Sequence, residues 1–294
     1  MTPATPALGA ILADWHWRAD VPLVLLALGA AYVVGWRRIR GRGYRHLAPR
    51  WRLAAYLGGL AAIGLALVSP VASLAHVLFS AHMVQHQLLI MVAAPLLLLG
   101  NPFPLVLWAL PARARRTLGV SLARGGRARA ALRVLTWMPV AGGLYTASLW
   151  GWHHPLAYEA ALASPVVHDL EHLLFFATAV LFWWPVVNAA PRLHRLVGGL
   201  PYGLRIAYLV LATGQNTLLG ALLGLAERVL YPSYAAAPRL FGWTALEDQA
   251  LGGGIMWSGG HMYLVAILVL VARALDSEGR PQPARRVLDE RLRR

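Results

Sequence analysis

The sequence lacks cysteine and lysine and has few charged residues of any kind. The absence of cysteine from all 294 residues excludes disulfides, thiolate metal sites and cysteine nucleophiles. Charged residues make up 13% of the chain, whereas soluble domains carry about 25%. An ordinary soluble domain is therefore excluded. Any metal bound here must use histidine, methionine, carboxylate or carbonyl groups.

Hydrophobic residues account for 58% of the chain and are gathered in long apolar runs. A helix needs about 20 mostly apolar residues to cross a bilayer. Seven such runs lie at approximately 21–36, 51–69, 82–100, 132–150, 168–187, 204–225 and 251–275. We therefore expect an all-α fold, a single membrane domain of seven transmembrane helices over residues 1–294, with a basic cytoplasmic tail at 276–294.

Arginine supplies all the basic side chains behind the formal net charge of +15. It is concentrated after the first, third and fifth runs and at the end of the chain, whereas segments 70–81 and 151–167 contain none. Loops rich in arginine stay in the cytoplasm, so this distribution predicts an outside N-terminus and an inside C-terminus. We expect a multi-pass protein of the bacterial cytoplasmic (inner) membrane, with the lipid bilayer and not nucleic acid as its partner.

Histidine is distributed unevenly across the predicted membrane. Of eleven histidines, only His46 and His194 fall in predicted cytoplasmic loops. The others lie in outer loops or in spans entered from outside: His16, His76, His82, His86, His153, His154, His168, His172 and His261. Ionisable side chains inside a bilayer are costly, and they usually face the protein interior and have a function. The histidines therefore predict a functional site near the outer, periplasmic or extracellular, surface.

Two histidine pairs have the spacing i, i+4, which places both imidazoles on one helix face. His82 and His86 form one pair, and His168 and His172 form the other. Together they supply four imidazoles, enough for one closed metal site or for two metals with open positions. Glu171 is a possible ligand, a group that orients an imidazole, or a general base. The alternative for each pair is hydrogen bonding between helices.

Weaker metal candidates lie in the last apolar run and in an outer loop. In the last apolar run, His261 is an additional candidate ligand. Met256 and Met262 offer thioethers that suit Cu(I), although methionines in such runs are more often packing residues. The adjacent His153 and His154 follow the fourth run, and adjacent side chains diverge in direction. We give this last pair a lower rank.

Three sequence blocks occur in order along the chain. Ser-Ala-His-Met-Val-Gln-His at 80–86 runs into the third span, His-Asp-Leu-Glu-His at 168–172 opens the fifth, and Glu-Asp-Gln at 247–249 precedes the glycine-rich segment 252–257. Together they resemble the CtaG family of bacterial cytochrome c oxidase assembly factors, over about residues 20–275. The Gly-His-Met segment at 260–262 is less typical of the family.

The resemblance implies a seven-helix membrane protein that handles or delivers copper, in the manner of a metallochaperone, while the oxidase matures. It implies functional positions at His82, His86, His168 and His172, with Asp248 as a further polar candidate. Copper is the metal we expect, with zinc as the alternative. The expected partners are cytochrome c oxidase subunits or another copper chaperone.

Two other functions remain open at this point. The sequence at 168–172 fits the H-x-x-E-H order of one class of zinc peptidase, in which Glu171 would activate water between the zinc ligands His168 and His172. Paired histidines can also serve as axial haem ligands in a membrane redox protein. We expect an assembly factor, without catalytic residues, in preference to an enzyme.

Overall fold

The computed structural model describes residues 13, 15, 18–123, 125–194 and 201–279, with side chains as far as residue 276. This described part is helical and contains no β-strand, which confirms the all-α prediction. The helices are α1 Asp20–Gly41, α2 Arg50–Leu67, α3 Pro70–Ala75, α4 Phe79–Leu99, α5 Pro102–Ala109, α6 Ala112–Ser121, α7 Arg127–Leu135, α8 Met138–His153, α9 Pro155–Ala163, α10 Pro165–Val187, α11 Tyr202–Gly224, α12 Pro232–Ala236, α13 Ala245–Gly259 and α14 His261–Gly279.

Five helical segments of the described chain are long and apolar enough to cross a membrane. They are α1, α4, α10, α11 and the combined segment of α13 and α14, Ala245–Asp276. The chain is therefore a multi-pass helical membrane protein. The other two predicted spans correspond to α2, which begins with Arg50 and includes Arg52, and to α8, which has 16 residues.

The helix bounds differ from the predicted spans in two places. The predicted run 132–150 starts inside α7, and α8 begins only at Met138, because Trp137 is extended and Pro139 occupies the first turn of the new helix. The predicted run 251–275 is divided at Gly260 between α13 and α14. His16 and the part of the predicted tail beyond residue 279 lie outside the described residues.

Helix α4 lies at the centre of the bundle and packs against α2, α10 and α13. Its middle turn, Leu88–Ala93, is a π-helix, in which the N–H of Ala94 donates to the carbonyl of Leu89. A π turn accommodates one extra residue within an α-helix. The indole N–H of Trp183, on α10, donates to the carbonyl of Ile90 at 3.0 Å. This hydrogen bond joins α10 to the irregular turn of α4.

The start of α4 is held by α13. The carboxylate of Asp248 accepts hydrogen bonds from the backbone N–H groups of Phe79 (2.6 Å) and Ser80 (3.2 Å), and from the Ser80 hydroxyl. Backbone N–H groups in the first turn of a helix have no partner within the helix, so a carboxylate there stabilises the helix start. Gly252 permits this close packing, because a Cβ at that position would overlap the Phe79 ring.

The two ends of the bundle differ in character. At one end, the short helices α3, α9 and α12 meet, and hydroxyl and carbonyl groups of Ala75, Tyr158 and Tyr234 lie together. At the other end, Arg38 donates to the carbonyls of Trp108 and Ala109 at the end of α5. Short helices therefore cover one end, and arginine contacts occupy the other.

Candidate metal centre

Four side chains form a buried group where α4 packs against α10: His82, His86, Glu171 and His172. One ligand atom of each lies within 4.8 Å of the others, and the four residues are between 0% and 5% exposed. His82 Nε2 is 3.6 Å from Glu171 Oε2, and His86 Nε2 is 3.8 Å from Glu171 Oε1. Nitrogen and oxygen ligands of one tetrahedral metal lie about 3.4 Å apart, since the metal–ligand bonds are about 2.0–2.2 Å long. The group is therefore close to the dimensions of one metal site.

Helical spacing explains how the imidazoles come together. His82 and His86 lie one turn apart on α4, with ring centroids 4.3 Å apart. His172 of α10 faces both of them, with centroid distances of 5.7 Å and 5.3 Å. Because α4 is surrounded by other helices, its histidine face is directed at protein and not at lipid. Glu171 lies next to His172 in sequence and enters the same group.

Buried polar atoms without a hydrogen-bond partner are concentrated in this group. Such atoms are rare in proteins, because an unpaired buried donor or acceptor costs about 1–3 kcal/mol. Within the described residues, the atoms without a partner here are His82 Nε2, His86 Nδ1, His86 Nε2, Glu171 Oε1, Glu171 Oε2 and His172 Nε2. Three imidazoles and a carboxylate whose acceptor atoms converge are a donor set that suits a transition-metal cation.

Two tyrosines determine the orientation of His82. Its Nδ1 lies 2.8 Å from the Tyr158 hydroxyl and 2.9 Å from the Tyr234 hydroxyl. The Tyr234 hydroxyl donates to the carbonyl of Ala75, and the two hydroxyls are 3.2 Å apart. We assign a chain in which Nδ1–H of His82 donates to Tyr158, Tyr158 donates to Tyr234, and Tyr234 donates to the carbonyl. This assignment leaves the Nε2 lone pair of His82 directed at Glu171, as metal binding requires.

The hydroxyl of Tyr158 is available as a donor at every physiological pH. Burial is the main cause that raises the pKa of Tyr158 well above its ordinary value, and the neighbouring Tyr234 and Glu171 raise it further. The pKa of Tyr234 is raised well above its ordinary value by burial as well. Both hydroxyls therefore keep their protons, and the hydrogen-bond chain from His82 does not depend on pH through them.

His153, which received a low rank from sequence, lies beside the group. It is 4% exposed, and its ring centroid is 5.8 Å from that of His86. Its Nδ1 lies 2.7 Å from the carbonyl of Leu149, and a carbonyl can only accept, so Nδ1 carries the proton. Its Nε2 is buried without a partner and retains a lone pair. In the structure helix α8 continues through His153, which separates its surroundings from those of the exposed His154; no pattern in the sequence indicated this difference.

His168 is next to the four-residue group but not part of it. It is partly exposed, and its ring centroid lies 4.2 Å from that of His172 and 5.2 Å from that of His82. The four-residue group thus contains three of the four predicted histidines together with the candidate Glu171, and His168 lies beside it.

The other candidates from the sequence lie outside the group. Asp248 binds the start of α4 with its carboxylate oxygens. His261 is exposed, and its Nδ1 lies 2.6 Å from the carbonyl of Ser258. Met262 is 40% exposed, whereas Met256 is part of the hydrophobic core. The structure therefore does not bring these four side chains together with the histidines of α4.

Residues 30–277 match the family described as cytochrome c oxidase caa3 assembly factor (Caa3_CtaG). The chain belongs to this family. The match includes every residue of the four-residue group, together with His153, Tyr158 and Tyr234. The resemblance found in the three sequence blocks is confirmed.

Relatives of this Caa3_CtaG family member occur among mycobacterial proteins described as uncharacterized. Protein Mb0105 of Mycobacterium bovis and protein MT0111 of Mycobacterium tuberculosis are each 27% identical to it over 285 residues, covering 91% of this chain and 40% of the relative. Protein ML1998 of Mycobacterium leprae is 25% identical over the same length and coverage. The chain thus spans about 40% of the length of these curated relatives. No solved structure matches the chain.

Proposed function

We propose that this member of the assembly-factor family holds copper at His82, His86, Glu171 and His172 and supplies it during maturation of cytochrome c oxidase. The observation that carries the proposal is the presence, within one group of four side chains, of six buried nitrogen and oxygen atoms that have no hydrogen-bond partner. A cation at the centre of the group would bind one ring nitrogen of each histidine and the Glu171 carboxylate, and would leave the second ring nitrogen of His86 without a partner. Family membership supplies the link to the oxidase.

The donor set favours copper in its divalent form. For a site of nitrogen and oxygen ligands, affinity rises along the series of divalent metals to Cu²⁺ and falls again at Zn²⁺. The carboxylate of Glu171 adds a hard, negatively charged ligand. Cu(I) prefers thiolates and thioethers, and the chain has no cysteine. The side chain of the buried Met83 packs against α13, near Gly252. Zinc is the competing ion, and the experiment must distinguish bound zinc from bound copper.

His153 is proposed as a further ligand of the same centre. Its proton is fixed on Nδ1 by the carbonyl of Leu149, so Nε2 is ready to bind a metal without losing a proton. It approaches His86 from α8, the third helix around the group. With a ligand from α8, the metal would bind side chains of three helices, α4, α8 and α10.

The proposed topology has seven transmembrane helices, with the N-terminus outside and the copper site near the outer surface of the bacterial cytoplasmic membrane. Two observations support this side. The cluster lies at the end of the bundle that carries α3 and α9, and the corresponding segments 70–81 and 151–167 contain no arginine. Oxidase subunits or a copper chaperone would then approach from the periplasmic or extracellular side.

Element-specific metal analysis of the purified chain tests the proposal. We expect stoichiometric copper, with X-ray absorption at the copper edge showing nitrogen and oxygen neighbours and no sulfur. The double variant His86→Ala/His172→Ala should lose the copper, whereas His46→Ala, at an exposed histidine in a predicted cytoplasmic loop, should retain it. If the double variant retained copper, His86 and His172 would not be the ligands. If the purified chain contained zinc and no copper, the proposal that the bound metal is copper would be wrong.

A zinc hydrolase is the second candidate, favoured by the position of Glu171 among imidazoles. In the H-x-x-E-H arrangement both histidines bind the metal, yet His168 lies outside the four-residue group. Glu171→Gln separates the two functions, since a hydrolase would keep its metal and lose turnover. A haem is supported less well, because haem iron accepts only two axial protein ligands, whereas four side chains here bring their ligand atoms within 4.8 Å of one another.

A further inference from the structure

Three histidine rings form a series from the surface to the buried group. His76 lies in the connection between α3 and α4 and is exposed. Its ring centroid is 5.4 Å from that of the partly exposed His168. The His168 ring is in turn 5.2 Å from that of the buried His82 and 4.2 Å from that of His172. Exposure therefore decreases stepwise along the series.

We propose that His76 and His168 form a ligand path that carries metal between the outer surface and the buried centre. The proposal rests on the function proposed above, namely that the centre binds a metal. Two imidazoles that bind the same ion have ring centroids on the order of 5–6 Å apart, because metal–nitrogen bonds are about 2.0–2.1 Å long. The distances from His76 to His168 and from His168 to His82 fall in this range.

The path works by exchange of ligands. An ion bound to His76 forms a bond to His168 before its bond to His76 breaks, and the same exchange then passes it to His82 or His172. The oxidation state of the ion is unchanged, and no other reactant is consumed. A cation that entered without ligands would lose its water in a medium of low dielectric constant, which is costly. A continuous series of nitrogen ligands lowers that barrier.

The charges next to His168 favour a cation at the start of the path. Asp169 follows His168 directly on α10 and forms an ion pair with Arg18 at 2.6 Å. Arg18 also pairs with Asp20 at 2.7 Å, at the start of α1. Two carboxylates thus share one guanidinium, so this exposed cluster carries a net negative charge. The fields of such surface charges raise the local concentration of cations.

Loading kinetics test the path with the full chain in lipid nanodiscs. Metal-free protein is mixed with Cu²⁺ held by a weak chromophoric chelator, and the absorbance of the chelator is followed by stopped flow. We expect His76→Ala to lower the loading rate constant by roughly tenfold. Release to a strong chelator should slow by the same factor, because a path changes the barrier and not the two end states. Copper stoichiometry and affinity should match the wild type.

Two further variants separate ligand chemistry from local packing. His154→Ala removes an exposed histidine between α8 and α9 and should change neither rate. His76→Glu introduces a carboxylate that also binds Cu²⁺ and is not oxidised by it, and it should load faster than His76→Ala. The path is overturned if His76→Ala loads at the wild-type rate, if His154→Ala slows loading equally, or if His76→Ala lowers the stoichiometry. If the wild type takes up no copper, the proposed function fails as well, whereas an unchanged rate with full loading removes the path alone.

Discussion

The histidine pairs of α4 and α10 have the same spacing but different surroundings. Both members of the pair on α4, His82 and His86, are almost completely buried. On α10 only His172 is buried, and His168 remains partly exposed. The spacing i, i+4 determines that two side chains share a helix face. The depth of each side chain is determined by what packs over it, and this differs between the two helices.

The difference arises at the starts of the two helices. The start of α4 is capped by the buried carboxylate of Asp248, and Tyr158 and Tyr234 cover His82. At the start of α10, Ser164 makes no hydrogen bond with its side chain to the helix. The beginning of α4 is therefore enclosed by α9, α12 and α13, whereas the beginning of α10 faces the surface.

The largest expected effect separates the two pairs directly. His86→Ala should weaken copper binding by more than about 100-fold, since changes in groups that merely support a ligand already cost roughly 10–100-fold. His168→Ala should change the equilibrium affinity far less, because its ring lies outside the four-residue group. Competition titrations against a chelator of known affinity measure both values. Equal losses would mean that the pairs are equivalent and that the comparison is mistaken.

The two carboxylates of α10 provide the next test. Glu171 points into the group, whereas Asp169 pairs with Arg18 at the surface. Glu171→Gln retains the shape of the side chain but removes its charge, and the affinity for Cu²⁺ should fall by several tens of fold, within the range of about 10–100-fold. Asp169→Asn is the matched control and should leave the affinity for Cu²⁺ close to that of the wild type. A similar loss in both would point to a general charge effect.

The tyrosine hydroxyl that contacts His82 predicts a smaller effect on copper affinity. Tyr158→Phe removes the hydroxyl that accepts from His82 Nδ1–H at 2.8 Å, and the affinity should fall by less than about tenfold, because the Tyr234 hydroxyl at 2.9 Å is then the remaining partner that orients the imidazole. Tyr231→Phe serves as the control, since the Tyr231 hydroxyl donates to the backbone carbonyl of His153 and does not touch His82. The same titration applies, and a Tyr158→Phe variant with full affinity would exclude this role.

A substitution at the start of α4 should lower the stability of the protein without changing its copper content. Asp248→Asn replaces one acceptor oxygen at the start of α4 with an amide that cannot accept, and should cost about 1–2 kcal/mol. A lower midpoint of thermal unfolding in detergent, with copper content retained, is the expected result. Ser164→Ala at the start of α10 should have little effect, because that side chain makes no capping hydrogen bond. Loss of copper at a normal midpoint would instead make Asp248 a ligand.

The smallest effect is expected at the far histidine. His261→Ala should leave the copper stoichiometry and affinity unchanged, because the ring is exposed and bound to the carbonyl of Ser258. Copper content and affinity are measured for this variant and for the wild type in parallel. A loss of copper would show that α14 takes part in the site.

The sequence predicted the local features of the site well. The apolar runs predicted helices, and the periodicity predicted that His82 and His86 share a face, because both properties depend on residues within a few turns. The sequence blocks predicted the family, which the match over residues 30–277 confirms. The number of spans and their orientation remain predictions, since the described structure contains five segments that are long and apolar enough.

The features that the sequence did not predict depend on contacts between distant segments. Tyr234 meets His82 across 152 positions of the chain, and no local pattern indicates that contact. The role of Glu171 was open for the same reason, because it depends on which side of α10 faces α4. The burial of His153 was not predicted, because the end of α8 was placed in a loop.

The π turn at Leu88–Ala93 affects how this centre could be transferred to another protein. Each residue of an α-helix advances the side chain by about 100° around the axis, so an extra residue rotates everything beyond it by that amount. The half of α4 with the histidines and the half that packs at 94–99 are thus set at independent angles. An engineer who copied the histidine face onto a regular helix would misalign one half. A transplant would have to include the π turn and the indole of Trp183 that contacts it.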